Sequence, residues 1–316
     1  MNNIRGRYAP SPTGRLHLGN LRTALLAWLF ARAWHGQFVM RVEDLDTLRI
    51  RAVGSETTHQ MLDDLRWLGL DWDEGPDRGG PYAPYQQSER LDFYHAYLQK
   101  LQDAGRVYPC YCTRAEIASA ASAPQQGIEP RYPGTCRDLT AAQRRDFEDR
   151  GRRPSLRFHV DATRVVNFTD LLAGPVTQQV QQTIGDFVLY RADGIFAYQF
   201  AVVVDDGLMH INQVVRGLDL LASTPRQILL FEALGFPIPT FAHVPLLLDN
   251  EGKRLAKRAQ STGLAPLQVA GMTPQQVVGQ LAASCGLAKQ GESLSTKELL
   301  ERYKEDKYAI MRTIHA

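Results

Sequence analysis

The chain has 316 residues, of which 44% are hydrophobic and 22% are charged, and its formal net charge is only +2. This length and composition are those of a globular protein with a sizeable buried core, built as one large domain or two ordinary ones. The small net charge does not announce a nucleic-acid-binding protein, but it does not exclude one, because a basic patch can coexist with near neutrality.

Two features concern the compartment in which the protein works. The first 14 residues contain no apolar core segment, so they do not form a signal peptide, and no stretch approaches the roughly 18 to 20 apolar residues that cross a bilayer. Three of the four cysteines lie between Cys110 and Cys136, which argues for a metal site in a reducing compartment rather than a disulfide scaffold. We therefore expect a soluble cytoplasmic protein with no membrane partner.

The N-terminal part of the chain alternates strand and helix patterns. Residues 4–8 predict a short strand, and a turn-rich loop over residues 9–14 follows it. Apolar residues then recur at helical spacing from Gly19. Residues 38–40 predict a buried parallel strand, and residues 55–68 predict a second amphipathic helix. This alternation predicts an α/β fold with a Rossmann-type parallel sheet and crossover helices, in which ligands lie at the carboxyl ends of the strands.

The pattern changes near Val107, where strand-like stretches and the cysteine cluster begin. We expect the sheet to resume with a strand over residues 197–204, followed by a helix over residues 225–234 and an apolar run over residues 243–248. A small helical tail is expected from about residue 266. The predicted division is the first half of the catalytic domain (1–104), an insertion (105–195), the second half of that domain (196–260) and a helical C-terminal region (261–316).

The first motif with chemical potential is His17-Leu18-Gly19-Asn20, at the end of the first loop. A histidine just before a helix N-terminus can meet a triphosphate, because the unpaired N–H groups and the helix dipole favour negative charge there. Gly19 permits close approach of the backbone. Taken alone, the motif fits an ordinary helix-start loop equally well.

The second motif is the basic segment GKRLAKR at residues 252–258. Its four cations suit a mobile loop that closes on the charge developing on pyrophosphate. Taken alone, it is more often a solvated basic loop.

Together, the two motifs resemble the signatures of the class I aminoacyl-tRNA synthetases, His-Ile-Gly-His at residues 17–20 and Lys-Met-Ser-Lys-Ser at residues 254–258. In the second signature, Arg254 replaces the first lysine and Ala256 the serine. Further stretches, within roughly residues 4–260, narrow the resemblance to the glutamyl branch. They are residues 7–14 (RYAPSPTG), 43–46 (EDLD), 87–90 (QSER), 204–206 (VDD), 215–217 (VRG) and 223–226 (STPR).

This resemblance implies L-glutamate and ATP as substrates, with Mg²⁺ neutralising the phosphates of ATP. It implies that Arg7 and Arg216 contact the glutamate carboxylates, which a guanidinium can bind through two parallel hydrogen bonds. Glu43 would hold the ammonium group, while Ser11 and Tyr198 would supply hydroxyl groups. The residues implied for glutamate are Arg7, Ala9, Ser11, Glu43, Tyr198 and Arg216.

The same resemblance implies an ATP site and a catalytic group. The residues implied for ATP are His17, Gly19, Asn20, Arg254, Leu255 and Lys257. Of these, His17, Asn20 and Lys257 are the implied catalytic residues, acting by positioning and electrostatic stabilisation of the transferring phosphate. Each residue taken singly has an ordinary explanation, such as a structural ion pair or packing, and only the joint match favours the functional one.

The cysteine cluster supplies three soft ligands, Cys110, Cys112 and Cys136, whereas tetrahedral zinc needs four. No histidine lies in this segment. The spacing leaves the fourth ligand open among Tyr132, a water and a distant carboxylate, with buried unligated cysteines as the alternative.

The pattern Cys-x-Cys followed by Tyr-x-x-x-Cys resembles the zinc site of the glutamyl-Q tRNA(Asp) synthetases, which are short paralogues of glutamyl-tRNA synthetase. That resemblance implies Tyr132 as the fourth ligand and one structural zinc, which would pin the insertion that faces the nucleic acid. The 58 residues after Arg258 are fewer than the large helical anticodon-binding part of a bacterial glutamyl-tRNA synthetase requires.

The implied function is formation of glutamyl-adenylate, followed by transfer of glutamate to the cyclopentenediol of queuosine at the wobble position of tRNA(Asp). A cis-diol on a cyclopentene resembles that of a ribose, so a site built for one could receive the other. No obligate protein partner is expected. The arginines of residues 144–153 either contact phosphates or form a solvated face.

Three alternatives remain open at this point. One is a truncated glutamyl-tRNA synthetase that charges the 3′ end of tRNA. Another is a non-catalytic RNA-binding descendant, which the presence of His17, Glu43 and Lys257 disfavours. The third is another nucleotidyltransferase of the same superfold, such as a pantothenate-synthetase-like ligase.

Overall fold

The structure is a computed structural model that describes residues 3–45, 56–120, 131–247 and 263–315. The predicted ATP residues Arg254, Leu255 and Lys257 lie outside the described residues, as does the whole basic segment 252–258. The remaining predicted site residues all lie within them.

The described strands form three separate sheets. In chain order they are β1 Arg5–Tyr8, β2 Gln37–Met40, β3 Val107–Cys110, β4 Ser155–Phe158, β5 Val165–Asp170, β6 Gly174–Gln179, β7 Phe187–Tyr190, β8 Gln213–Gly217 and β9 Thr240–Val244. Four strands make a parallel sheet in the order β2-β1-β8-β9. The predicted α/β fold with a parallel sheet is therefore confirmed.

The helices connect these strands and cover the parallel sheet. In chain order they are α1 Leu18–Ala33, α2 Glu56–Trp67, α3 Leu91–Asp103, α4 Arg114–Ala120, α5 Ala141–Asp149, α6 Val180–Thr183, α7 Tyr198–Leu208, α8 Thr224–Leu234, α9 Leu264–Val269, α10 Pro274–Ala283, α11 Thr296–Glu301 and α12 Tyr308–His315. The helices predicted from Gly19 and over residues 55–68 and 225–234 are confirmed as α1, α2 and α8.

Helix α1 is buried on nearly all sides, because it packs against β1 and β8 on one side and against α10 and α11 on the other. Its apolar residues share one core with α10, α11 and α12, including Val277, Leu299 and Ile310. The predicted helical C-terminal region is thus helical, but it packs into the main core rather than forming a tail. Among the described helices, none is long and apolar enough to cross a membrane.

The strand predicted over residues 197–204 is wrong, because this segment begins α7. All residues from Phe200 to Gly207 are buried. A helix buried on every face has no polar stripe, so its apolar run has the same appearance as that of a buried strand. The sheet instead resumes at β8, and β9 begins three residues before the predicted apolar run over 243–248.

The segment between β2 and α7 adds two antiparallel sheets. One contains β3, β4 and β7, and the other is the hairpin of β5 and β6. Strand β5 also packs against β9, and Phe158 and Val166 join the core formed by α3, α7 and α8. This segment is therefore continuous with the parallel sheet through a shared core.

Candidate functional site

A cavity of about 480 Å³ opens at the carboxyl ends of the parallel strands. Residues after β1, β2, β8 and β9 all line it. Strand order reverses between β1 and β8, because β2 follows β1 on one side while β8 and β9 lie on the other. Open parallel sheets bind ligands at such a reversal, where the loops diverge and leave a crevice.

The cavity brings together every predicted glutamate and ATP residue that the structure describes. They are Arg7, Ala9, Ser11, His17, Gly19, Asn20, Glu43, Tyr198 and Arg216. Leu247 lines the same cavity, and Gly263 forms a β-bridge with His17. Both chain ends that flank residues 248–262 therefore adjoin the cavity.

His17 caps the N-terminus of α1. Its ring Nδ1 accepts a hydrogen bond from the backbone N–H of Asn20 at 3.3 Å, so the proton of the neutral ring resides on Nε2. A Cβ atom at Gly19 would lie 3.1 Å from this ring, which explains why a glycine suits the position. The helix end thus presents N–H groups and an imidazole to the cavity, a combination that suits an anion.

Arg216 is a buried cation of the cavity, with only 5% of its surface exposed. Its Nε donates to Nε2 of His243 at 3.0 Å, and its Nη2 donates to the Thr224 hydroxyl at 2.8 Å. Its Nη1 is buried and has no hydrogen-bond partner within the described part of the chain. Burial lowers the pKa of Arg216 below its usual value. A buried guanidinium that lines a cavity and has an unpaired N–H group suits a carboxylate ligand.

Arg7 and Glu43 belong to a buried network of charges behind the cavity. Asp206 accepts from Nε of Arg7 at 3.3 Å and from Nη1 of Arg41 at 2.7 Å. Arg41 also contacts Glu43 at 3.3 Å and Asp205 at 3.4 Å. Burial raises the pKa of Glu43, and the nearby charges of Arg41 and Arg7 only partly offset that effect. A further cation, such as a ligand ammonium group, would therefore stabilise the ionised form of Glu43.

Several residues that shape the site were not assigned a role from the sequence. They are Arg41, Asp170, Asp205, Asp206, Thr224 and His243. For Asp205, Asp206 and His243 the signal is an ionisable residue inside an otherwise apolar run, since such a residue is buried and must be paired. The stretches AVVVDDGL (201–208) and FAHVPLLL (241–248) both show it.

The cysteine cluster lies at the end of β3, away from the cavity. The Sγ atoms of Cys110, Cys112 and Cys136 all lie within 4.8 Å of one another. The Oη of Tyr132 is 3.3 Å from Sγ of Cys110 and accepts from the backbone N–H of Cys136 at 2.8 Å. The four predicted zinc ligands therefore converge.

The geometry of this cluster fits a tetrahedral zinc. Two ligands about 2.3 Å from zinc lie about 3.8 Å apart in a tetrahedron, and Sγ of Cys112 lies 3.5 Å from that of Cys136. Burial raises the pKa of Cys112 to about 12, and the neighbouring thiols add to that rise. Three thiolates at this spacing repel one another, so a bound cation is what would allow them to coexist.

The basic segment around α5 is partly neutralised. Arg150, which follows the last residue of α5, pairs with Asp146 on that helix, and Arg152 pairs with Glu116. Both pairs are exposed, which favours a solvated face for these two arginines.

Comparisons with known proteins agree with this geometry. The family model of tRNA synthetases class I (E and Q), catalytic domain, matches residues 3–308. A glutamyl-Q tRNA(Asp) synthetase of Symbiobacterium thermophilum is 54% identical over 298 residues, covering 93% of this chain and 90% of the relative. A glutamate–tRNA ligase of the same organism is 45% identical over 303 residues, covering 95% of this chain and 62% of the relative.

A solved structure shares the fold as well as the sequence. The glutamate–tRNA synthetase of Elizabethkingia anophelis superposes with a TM-score of 0.81 at 32% identity, over 95% of this chain and 65% of that one. The match thus extends over both the parallel sheet and the segment with the cysteine cluster. The chain belongs to the class I aminoacyl-tRNA synthetases of the glutamyl and glutaminyl group.

Proposed function

We propose that the cavity binds L-glutamate and ATP and joins them as glutamyl-adenylate with release of pyrophosphate. The observation that carries this proposal is the buried Arg216, which has no partner for its Nη1 among the described residues and lines a cavity that also holds Arg7 and Glu43. Two guanidiniums and one carboxylate complement the two carboxylates and one ammonium of glutamate. A neutral or cationic amino acid would leave a buried charge unpaired, at a cost of several kcal/mol.

Activation then depends mainly on positioning and electrostatics. The α-carboxylate attacks the α-phosphate of ATP, and pyrophosphate leaves. His17 and the N-terminus of α1 lie where they can stabilise the phosphates, and Lys257 would approach from the segment whose flanking residues adjoin the cavity. Bound Mg²⁺ would neutralise part of the phosphate charge.

We further propose that the glutamyl group passes to the cyclopentenediol of queuosine in tRNA(Asp). Support comes from the relatives named glutamyl-Q tRNA(Asp) synthetase, which are 54% and 50% identical and of which this chain covers 90% and 87%. The glutamate–tRNA ligases are 42–45% identical, with about 62% covered. Charging of the tRNA 3′ end is the competing function.

The cysteine cluster is proposed as a structural zinc site with Cys110, Cys112, Cys136 and Tyr132 as ligands. It belongs to residues 105–195, which we propose to be the insertion that approaches the nucleic acid. Cys110→Ser should lower the zinc content of the purified protein well below one equivalent, as measured by elemental analysis. Cys285→Ser, which lies outside the cluster, is the matched control and should keep the zinc content unchanged. Full zinc occupancy in the Cys110 variant would remove that residue from the ligand set.

The deciding experiment on the acceptor uses radiolabelled glutamate, ATP and two preparations of tRNA(Asp), one with queuosine and one without. Label on the queuosine-containing tRNA alone, kept after enzymatic removal of the 3′-terminal adenosine, supports transfer to the modified base; periodate would not serve here, because it cleaves the cyclopentenediol as well as the terminal ribose diol. Label on both intact preparations, abolished by removal of the terminal adenosine, would instead establish charging of the 3′ end.

A further inference from the structure

The guanidinium of Arg216 is held by a chain of buried side chains that crosses two sheets. His243 on β9 accepts from its Nε, and Asp170 at the end of β5 contacts Nδ1 of the same imidazole at 2.6 Å. Both His243 and Asp170 are 1% exposed. Three residues from three different strands thus form one line of hydrogen bonds that ends at the cavity.

Asp170 is itself held in place by the backbone. Its Oδ1 accepts from the backbone N–H groups of Leu172 at 3.0 Å, Ala173 at 2.8 Å and His243 at 3.1 Å. Its Oδ2 remains for the imidazole. A carboxylate with this many charge-stabilising donors stays ionised, and the pKa of Asp170 is lowered by these hydrogen bonds although burial opposes them.

These contacts determine the tautomer of His243. Asp170 is a pure acceptor, so Nδ1 of the imidazole carries the proton and donates it. The Nε2 atom then offers a lone pair, which accepts the Nε–H of Arg216. The opposite tautomer would place two N–H groups against each other at 3.0 Å and leave the carboxylate without its donor.

The position of Arg216 follows from this tautomer. With Nε held by His243 and Nη2 held by Thr224, the planar guanidinium has no freedom to rotate. Among the residues that the structure describes, Nη1 alone of the three guanidinium nitrogens has no hydrogen-bond partner, and Arg216 lines the cavity. A cation fixed in advance loses less entropy when a ligand binds than one that must be ordered.

We propose that Asp170 and His243 are positioning residues, which fix the tautomer and thereby aim Arg216 at a carboxylate of the bound amino acid. This inference rests on the proposed binding of glutamate in the cavity. In this proposal Asp170 and His243 contribute to specificity through Arg216, without contacting the substrate themselves. This positioning would set affinity for the amino acid, whereas the proposed ATP contacts are those of His17 and the N-terminus of α1.

The tautomer can be measured without any substitution. In protein labelled with ¹⁵N-histidine, long-range ¹H–¹⁵N NMR spectra distinguish a ring protonated at Nδ1 from one protonated at Nε2. We expect a neutral His243 protonated at Nδ1 between pH 6 and 8, with the resonance assigned by its loss in His243→Gln. A ring protonated at Nε2 would overturn the proposal.

Glutamate-dependent exchange of pyrophosphate into ATP gives the functional test. In Asp170→Asn the amide can donate to Nδ1 of His243, which moves the ring proton to Nε2, against Arg216. We expect the KM for glutamate to rise by about tenfold to a hundredfold, the value of one hydrogen bond to a charged group, with the KM for ATP changed less than twofold. Asp161→Asn removes an exposed carboxylate that also caps a turn, and it should leave both KM values unchanged.

His243 variants separate positioning from packing. His243→Gln keeps an acceptor that can reach Nε of Arg216 and should retain more affinity for glutamate than His243→Phe, which keeps only the ring. Equal losses in both, or equal rises of the two KM values, would overturn the positioning role. If the wild-type protein shows no glutamate-dependent exchange, the proposed function fails as well, whereas an active wild type with unchanged variants overturns this inference alone.

Discussion

The pKa of Glu43 gives the proposed binding of glutamate a pH dependence that can be measured. Its carboxylate is nearly enclosed, and burial raises its pKa despite the nearby Arg41 and Arg7. A raised pKa means that Glu43 takes up a proton at a higher pH than an exposed glutamate does. The protonated form has no charge to offer to a ligand ammonium group.

We therefore expect the KM for glutamate to increase as the pH falls from neutral towards 5. The sign follows from the raised pKa, because falling pH converts Glu43 into the neutral acid that binds an ammonium group weakly. Glu43→Gln should raise this KM by roughly tenfold or more at neutral pH and abolish its further rise in acid. The measurement is pyrophosphate exchange between pH 5 and 8.

Glu89→Gln is the matched control for this prediction, because Glu89 is exposed and contacts only Gln86 through its side chain among the described residues. Its pH profile should coincide with that of the wild type. An acid rise of the KM that persists in Glu43→Gln would assign the effect to another group.

At the level of residues, the sequence was informative where a motif could be compared as a whole. All nine described residues that the resemblance implied for glutamate and ATP line one cavity. The partners of those residues were not predictable, because they come from distant parts of the chain. Arg7 meets Asp206 across 199 positions, and His243 meets Asp170 across 73. Which buried charged groups pair with one another depends on the folded structure.

At the level of elements, periodicity predicted amphipathic helices and failed for a buried one. Helix α2 buries one stripe, which includes Met61, Leu62 and Leu65, and its bounds were predicted closely. Helix α7 buries all its faces after the first turn, so an apolar run rich in β-branched residues was read as a strand. Propensity favours a strand for Val202–Val204, but packing against α8 and the ion pairs of Asp205 and Asp206 override it.

Helix α10 offers a test of element packing at Gly279. A Cβ atom added there would lie 1.7 Å from the backbone oxygen of Glu292. In an exposed helix, glycine to alanine gains about 1 kcal/mol, but here the new methyl group meets a backbone that cannot move freely. We expect Gly279→Ala to lower the free energy of unfolding by about 1–3 kcal/mol, measured by chemical denaturation.

The neighbouring Gln280→Ala is the matched control for α10, because Gln280 is exposed on the same helix. Its free energy of unfolding should stay within about 0.5 kcal/mol of the wild type. A stabilised Gly279→Ala would show that the chain around Glu292 adapts and that α10 is less closely packed than its backbone contacts indicate.

At the level of the whole molecule, the order of strands and helices explains why distant motifs meet. The loops after β1 and β8 diverge at the reversal of strand order, and both carry cavity residues. The sequence predicted this arrangement in outline, since alternating strands and helices favour a parallel sheet. It did not reveal that α10, α11 and α12 pack on α1, because an apolar helix face does not indicate which element packs against it.

Asp205 joins the two halves of this architecture. Its carboxylate accepts from Nε of Arg90 at 2.6 Å, from Nε2 of Gln87 at 2.8 Å and from the hydroxyl of Tyr94 at 2.9 Å, and it lies 3.4 Å from Nε of Arg41. These partners come from the end of β2, the segment before α3 and α3 itself, while Asp205 belongs to α7. One fully buried anion thus links the first hundred residues to the second half of the sheet.

Asp205→Asn should therefore destabilise the whole molecule rather than one loop. The substitution keeps the volume of the side chain but removes the carboxylate that pairs with the buried Arg90, whereas Arg41 keeps Asp206 and Glu43. We expect a loss of about 3–5 kcal/mol. Asp193→Asn breaks an exposed pair with Arg191 and should cost at most about 1 kcal/mol. Chemical denaturation of both variants, followed by tryptophan fluorescence and by circular dichroism, measures the difference. Coincident transitions at lower denaturant are expected for Asp205→Asn, since the two halves share one core through this anion. A stability equal to that of Asp193→Asn would mean that apolar packing alone holds the halves together, and separate transitions would mean that the halves unfold independently.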